Sequence, residues 1–130
     1  CAYFGMCYDM DIDLNHDCIE EAVFSLSKTF PIINARSGVS FRKIYIDDSI
    51  EFANQQGIIN LFGVGLGNYC ISNWSADHIP NKYKYKQQEI CKELNITPTN
   101  CVIFGLGNDK EYNRGNDTTR LCISNELKYY

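Results

Sequence analysis

A chain of 130 residues has the size of one ordinary domain, read here as 1–130, and can bury a core without metals or crosslinks. Its apolar fraction of 45% and charged fraction of 22% exclude a disordered chain, and no apolar run reaches the length of a membrane span. A net charge of −4 and a pI near 5.1 leave no cationic footprint for phosphates, so nucleic acid is excluded as a partner.

The first stretch, residues 2–12 (AYFGMCYDMDI), carries aromatic side chains and few breakers and reads as extended. Asp17 and Glu20 have the spacing of a capping box, and Ile19, Ala22, Val23, Leu26 and Phe30 share a helical face, so a helix is predicted over 17–30. Pro31 and Ser37-Gly38 close it, and Val39 to Ile46 reads as a strand running into Asp47-Asp48. Ser49 to Gln56 reads as a short helix closed by Gly57. Ile58 to Leu66, apolar and bounded by glycines, reads as a strand buried on both faces, with a further short strand over Tyr69 to Trp74.

Pro80 suits the first turn of a helix in which Tyr83, Gln87, Ile90, Cys91 and Leu94 share a partly polar face. Cys101 to Phe104 reads as a strand ending in Gly105-Leu106-Gly107, followed by a polar loop from Asn108 to Asp117 and a last strand around Leu121 to Ser124. Strands alternating with helices predict an α/β three-layer sandwich with a mainly parallel sheet. The alternative is an α+β fold with helices on one face. Leu61 to Asn73 and Ile103 to Asn125 echo one another, each with a glycine turn and a Cys-Ile-Ser-Asn word, as duplicated hairpins or as two strands built from the same residue types.

Seven cysteines (Cys1, Cys7, Cys18, Cys70, Cys91, Cys101, Cys122) are dense for this length, and none forms a CxxC pair. In an oxidising compartment they form disulfides and leave one thiol over, free or joined to a second chain. In a reducing one they are small buried hydrophobes. Three N-x-[ST] acceptors, at Asn73, Asn95 and Asn116, favour the oxidising case and a secreted glycoprotein. The chain opens on Cys1 rather than Met, which marks a processed chain or a fragment of a longer protein.

The densest polar cluster is Asp9, Asp11, Asp13, Asn15 and Asp17, followed by Glu20. In an extended segment the odd positions project to one side, so the carboxylates repel unless water or a cation neutralises them. A divalent ion, calcium or magnesium, is the natural counter-charge, and the alternation matches the oxygen ligands of an EF-hand loop, although Leu14 replaces the glycine of its sharp turn. A solvated acidic edge that discourages strand aggregation is the other reading.

From Asn15 to Asn68 the order of features resembles the central part of a von Willebrand factor type A domain. It comprises a helix with Ala22, Arg36-Ser37-Gly38-Val39, the strand Lys43-Ile44-Tyr45-Ile46 running into Asp47-Asp48-Ser49, a helix with Ala53, and Leu61-Phe62-Gly63-Val64-Gly65-Leu66-Gly67. The resemblance implies Asp47 at a metal-site position. The family's Asp-x-Ser-x-Ser motif is absent and its Thr-Asp-Gly stands here as Ile46-Asp47-Asp48, so what the resemblance implies is a scaffold with a degenerate metal site serving adhesion or assembly; Asp9, Asp11 and Asp13 of the acidic run are the other candidate metal ligands.

Asp9-Met10-Asp11 is also similar to the opening motif of haloacid-dehalogenase-type phosphatases, with Ser72-Asn73, Lys84 or Lys86, and Asp109 following in that family's order. That resemblance implies Mg-dependent hydrolysis with Asp9 as nucleophile and Asp11 moving the proton. Ile12-Asp13 stands where the family has Gly-Thr. His16 and His78 lie in no ligand spacing, Gly63 to Gly67 leads no obvious phosphate-binding helix, and Lys82, Lys84 and Lys86 read as a solvated face. The expectation is thus a secreted glycoprotein module for binding, adhesion or assembly whose partner is another protein or a second, disulfide-linked chain. The phosphatase is the alternative.

Overall fold

The structure is a computed structural model and describes residues 1–30, 32, 34–107 and 119–127. The chain divides into two compact units, one formed by Cys1–Phe4 with Asp11–Ala76, the other by Gly5–Met10 with Asp77–Tyr130. No helix among the described residues is long and apolar enough to cross a membrane.

The first unit is built on an antiparallel hairpin of β1 (Glu21–Ser25) and β2 (Gly38–Arg42), in register from Glu21 opposite Arg42 to Ser25 opposite Gly38. Ala22 and Phe24 are buried while Glu21 and Val23 are exposed, the period-two alternation of a half-covered strand. The Phe24 ring meets Phe4 edge-on at 4.6 Å and Phe41 at 5.7 Å. Ser25 caps a single helical turn, α1 (Leu26–Thr29), by accepting a hydrogen bond from the Ser27 N–H. Helix α2 (Ser49–Gln55) starts at Asp48, whose Oδ1 accepts the N–H groups of Ile50 and Glu51 at 2.9 Å each. Gly57, at a φ of 68°, follows its end.

Helix α3 (Leu61–Asn73) is capped by Asn60, which accepts the Gly63 N–H and donates to the Ala35 carbonyl. Its buried positions are Gly63, Gly67 and Cys70, a stripe one turn apart. A Cβ at Gly63 would lie 2.1 Å from the Ala35 carbonyl oxygen, and one at Gly67 2.7 Å from Ser37 Oγ. The glycines are thus what lets the helix lie directly on the 35–37 backbone. Leu26, Phe30 and Cys70 form the core of this unit, with Ile32, Val39 and Leu66 packed against it.

In the second unit, α4 (His78–Glu93) packs Ile90 and Cys91 against Ile123 and Leu127, the latter on the short α5 (Ser124–Leu127). Three short antiparallel strands form its sheet in the order β3 (Thr97–Pro98), β4 (Phe104–Gly107), β5 (Thr119–Cys122). A Cβ at Gly105 would stand 2.5 Å from Ile96 and 3.1 Å from the Cys91 sulfur, so β4 needs a bare backbone there for both side chains to fit.

The expected mainly parallel three-layer sandwich is therefore replaced by two small antiparallel sheets with helices. Parallel pairing needs several strands joined by crossovers, and two of the expected strands, Ile58 to Leu66 and Tyr69 to Trp74, are taken up by α3 and its approach. The helix predicted over 17–30 is a strand followed by one turn, because Ala22 and Phe24 bury by alternation. Residues 2–12 form turns and an isolated bridge at Cys7 rather than a strand. The Cys-Ile-Ser-Asn echo is helical at Cys70–Asn73, whereas Cys122 ends a strand and Ser124-Asn125 opens a helix, so it marks no duplicated hairpin. The 49–56 and Pro80 helices form where the sequence places them. The polar loop 108–117 lies outside the described residues.

Candidate functional site

The acidic residues spread rather than converge. Asp9, in a left-handed backbone conformation (φ 54°), belongs to the second unit and pairs with Lys84 at 3.5 Å, and the Lys84 ammonium also sits 4.3 Å from the centre of the Tyr8 ring. Asp11 and Asp13 belong to the first unit and are exposed; Asp13 accepts the Asn15 N–H in a local turn. Asp47 is exposed between β2 and α2. Among the described residues, no three carboxylate, thiol or imidazole groups gather closely enough to hold a metal ion. A cation does meet the acidic segment: the Lys43 ammonium donates to the carbonyl oxygens of Asn15 at 3.1 Å and His16 at 2.6 Å.

An open cleft of about 310 Å³ lies beside this contact, lined by Leu14, Ile19 and Phe41 together with Glu20, Arg42 and Lys43. Its cations are engaged. Lys43 holds the two carbonyls, and Arg42 binds Glu21 through Nε at 2.7 Å and Asp48 through a terminal nitrogen at 2.9 Å. Hydrogen bonds from the Ser40 hydroxyl and then Arg42 hold Glu21 below its usual carboxylate pKa; the Glu51 N–H is the main cause for Asp48, and Arg42 is raised chiefly by Glu21.

Of the groups named by the phosphatase resemblance, Lys84 meets Asp9, whereas Lys86 pairs with Glu89. Asp11 and Ser72 belong to the other unit, and Asp109 lies outside the described residues. Residues 2–8, ahead of Asp9, form turns and the bridge at Cys7. His16 Nδ1 lies 3.1 Å from the Cys18 sulfur, with both residues exposed.

All seven cysteines are free thiols: Cys70, Cys91 and Cys101 buried, Cys7 partly buried, Cys1, Cys18 and Cys122 exposed. Of the glycan acceptors, Asn73 is the last residue of α3, exposed, and donates to the Tyr69 carbonyl; Asn95 follows α4, exposed and left-handed at a φ of 53°; Asn116 lies outside the described residues.

Two features were not identified from the sequence. Gln87, wholly buried, donates its amide hydrogens toward the carbonyls of Thr99, Cys101 and Phe104 at 2.8–2.9 Å and accepts from the Tyr8 hydroxyl at 3.2 Å, fastening the Thr99–Phe104 loop to α4. Its signal was the polar residue in the middle of a buried helical stripe. The second is apolar exposure. Thirteen large hydrophobic residues between Phe41 and Trp74 are exposed, including Ile44, Phe52, Leu61 and Phe62 at 57–75%. Helix α3 carries apolar side chains on every side, a pattern that belongs to helices covered all round. The signal was the unbroken apolar run itself, which a strand buried on both faces explains equally well. No family model, no curated protein and no solved structure matches the chain.

Proposed function

We propose that the chain is a binding and assembly module of a secreted glycoprotein, and that a second polypeptide chain covers the apolar surface between Phe41 and Trp74. The observation that carries this reading is α3, whose outward positions Leu61, Phe62, Val64, Tyr69 and Ile71 are as apolar as its buried ones and stand exposed. Exposed apolar surface on this scale marks contact sites in folded proteins. The exposed acceptors at Asn73 and Asn95 support the extracellular setting.

Light scattering on a sizing column tests the assembly. The parent protein is expected to run above the 14.9 kDa of one chain, and Leu61→Glu with Phe62→Glu to run as a single chain with unchanged circular dichroism. A parent that stays a single chain at its highest soluble concentration ends the reading. After expression through a secretory pathway, a mass decrease with peptide N-glycosidase at Asn73 or Asn95 is expected, and bare asparagines at both would remove the glycoprotein element.

A further inference from the structure

We infer that Cys7 and Cys101 are a redox pair that closes into a cross-strand disulfide within the second unit. The two residues form an isolated antiparallel bridge, flanked by a hydrogen bond from the Tyr8 N–H to the Asn100 carbonyl and one from the Val102 N–H to the Met6 carbonyl, each 2.9 Å. That pattern makes Cys7 and Cys101 a non-hydrogen-bonded pair, the antiparallel position with the closest approach, about 4.5 Å between Cα atoms. A disulfide spans about 4.4–6.8 Å between Cα atoms, so the backbone already stands in range and rotation of the side chains joins the sulfurs.

The partners differ in access. Cys7 is partly exposed and Cys101 is buried, its thiol pushed up to about 12 chiefly by burial and drawn back mainly by a backbone hydrogen bond from Ile103. The order of events follows, with a low-molecular-weight disulfide such as oxidised glutathione as the oxidant. The Cys7 thiolate attacks one sulfur and expels a glutathione thiolate, leaving a mixed disulfide on Cys7. Cys101, losing its proton as it reacts, attacks the Cys7 sulfur and expels the second glutathione. Two protein thiols are oxidised, one glutathione disulfide is reduced to two thiols, and the chain loses two hydrogens. Closure tethers the Gly5–Met10 segment to the Cys101 loop that Gln87 holds, and it requires no partner at α3, so it stands or falls apart from the assembly reading.

The test oxidises the reduced, folded chain with glutathione disulfide, alkylates the remaining thiols in denaturant and maps the products. Cyanogen bromide cuts after Met6 and Met10, separating Cys7 from Cys1 and Cys18, and trypsin cuts after Lys92 and Lys110, separating Cys101 from Cys91. A Cys7–Cys101 linked peptide is expected, with the other five thiols alkylated or carrying glutathione. Cys101→Val, with its circular dichroism preserved, is expected to trap glutathione on Cys7. Recovery of Cys7 and Cys101 both alkylated, a stable glutathione adduct on Cys7 with Cys101 intact, or Cys101 joined to a different cysteine overturns the pairing.

Discussion

Arg42 ties three elements with one guanidinium: it sits on β2, binds Glu21 directly opposite on β1, and reaches Asp48 at the start of α2. Because Glu21 and Asp48 are held below their unfolded carboxylate values, they bind protons less readily in the folded chain than in the unfolded one. Their stabilisation is full above the unfolded carboxylate range and is lost as pH falls through the lowered folded values. Melting temperature is therefore expected to fall on acidification below about pH 4, the range where free Asp and Glu protonate. Arg42→Gln is expected to lower the neutral plateau and flatten that acid limb; an unchanged limb would show that the network contributes nothing. The thiols give a second expectation. Iodoacetamide at pH 8 should modify Cys1, Cys18 and Cys122 rapidly and leave Cys70, Cys91 and Cys101 until denaturant is added, since burial hides these three and raises the Cys91 and Cys101 thiols. Rapid labelling of Cys91 in the folded chain would contradict the described core.

At the scale of elements, two glycines of α3 make opposite predictions. A methyl group at Gly63 would collide with the Ala35 carbonyl, so Gly63→Ala is expected to destabilise by about 1–3 kcal/mol in urea unfolding. Nothing lies near the corresponding position at Gly65, so Gly65→Ala is expected to stabilise by roughly 1 kcal/mol through helix propensity alone. Equal effects at the two positions would mean that α3 does not lie on the 35–37 backbone. The same helix shows why the sequence was only partly legible. Its glycine-rich apolar run satisfies the pattern of a buried strand, and the cap that starts the helix is evident only in the structure, where the Asn60 side chain accepts the Gly63 N–H. Positions Ala22 and Leu26 satisfy a helical stripe, while Ala22 and Phe24 satisfy a strand; cross-strand packing on Phe41 decided between them. The 49–56 and Pro80 helices were legible because Asp48, Gly57 and the 87–90–91 stripe are local signals that tertiary contacts do not overrule. The acidic segment showed its charge but not the lysine that meets it, since Lys43 is brought there only by the hairpin.

Across the whole molecule, modest charge and abundant exposed apolar surface act together. Net charge keeps chains apart, and that repulsion vanishes near the pI of 5.1. Static light scattering is expected to rise to a maximum near that pH and to fall on either side, with Leu61→Glu and Phe62→Glu lowering the whole curve. A flat profile for the parent would show that the Phe41–Trp74 surface attracts nothing.

The Gln87 carboxamide carries a consequence for spectroscopy. With both of its hydrogens facing main-chain oxygens and no surface open to solvent, those two protons cannot trade places with deuterium unless α4 lifts from the Thr99–Phe104 loop. A pair of side-chain amide resonances that outlasts most of the backbone signals after transfer to heavy water would thus serve as a clock for opening of that half of the chain.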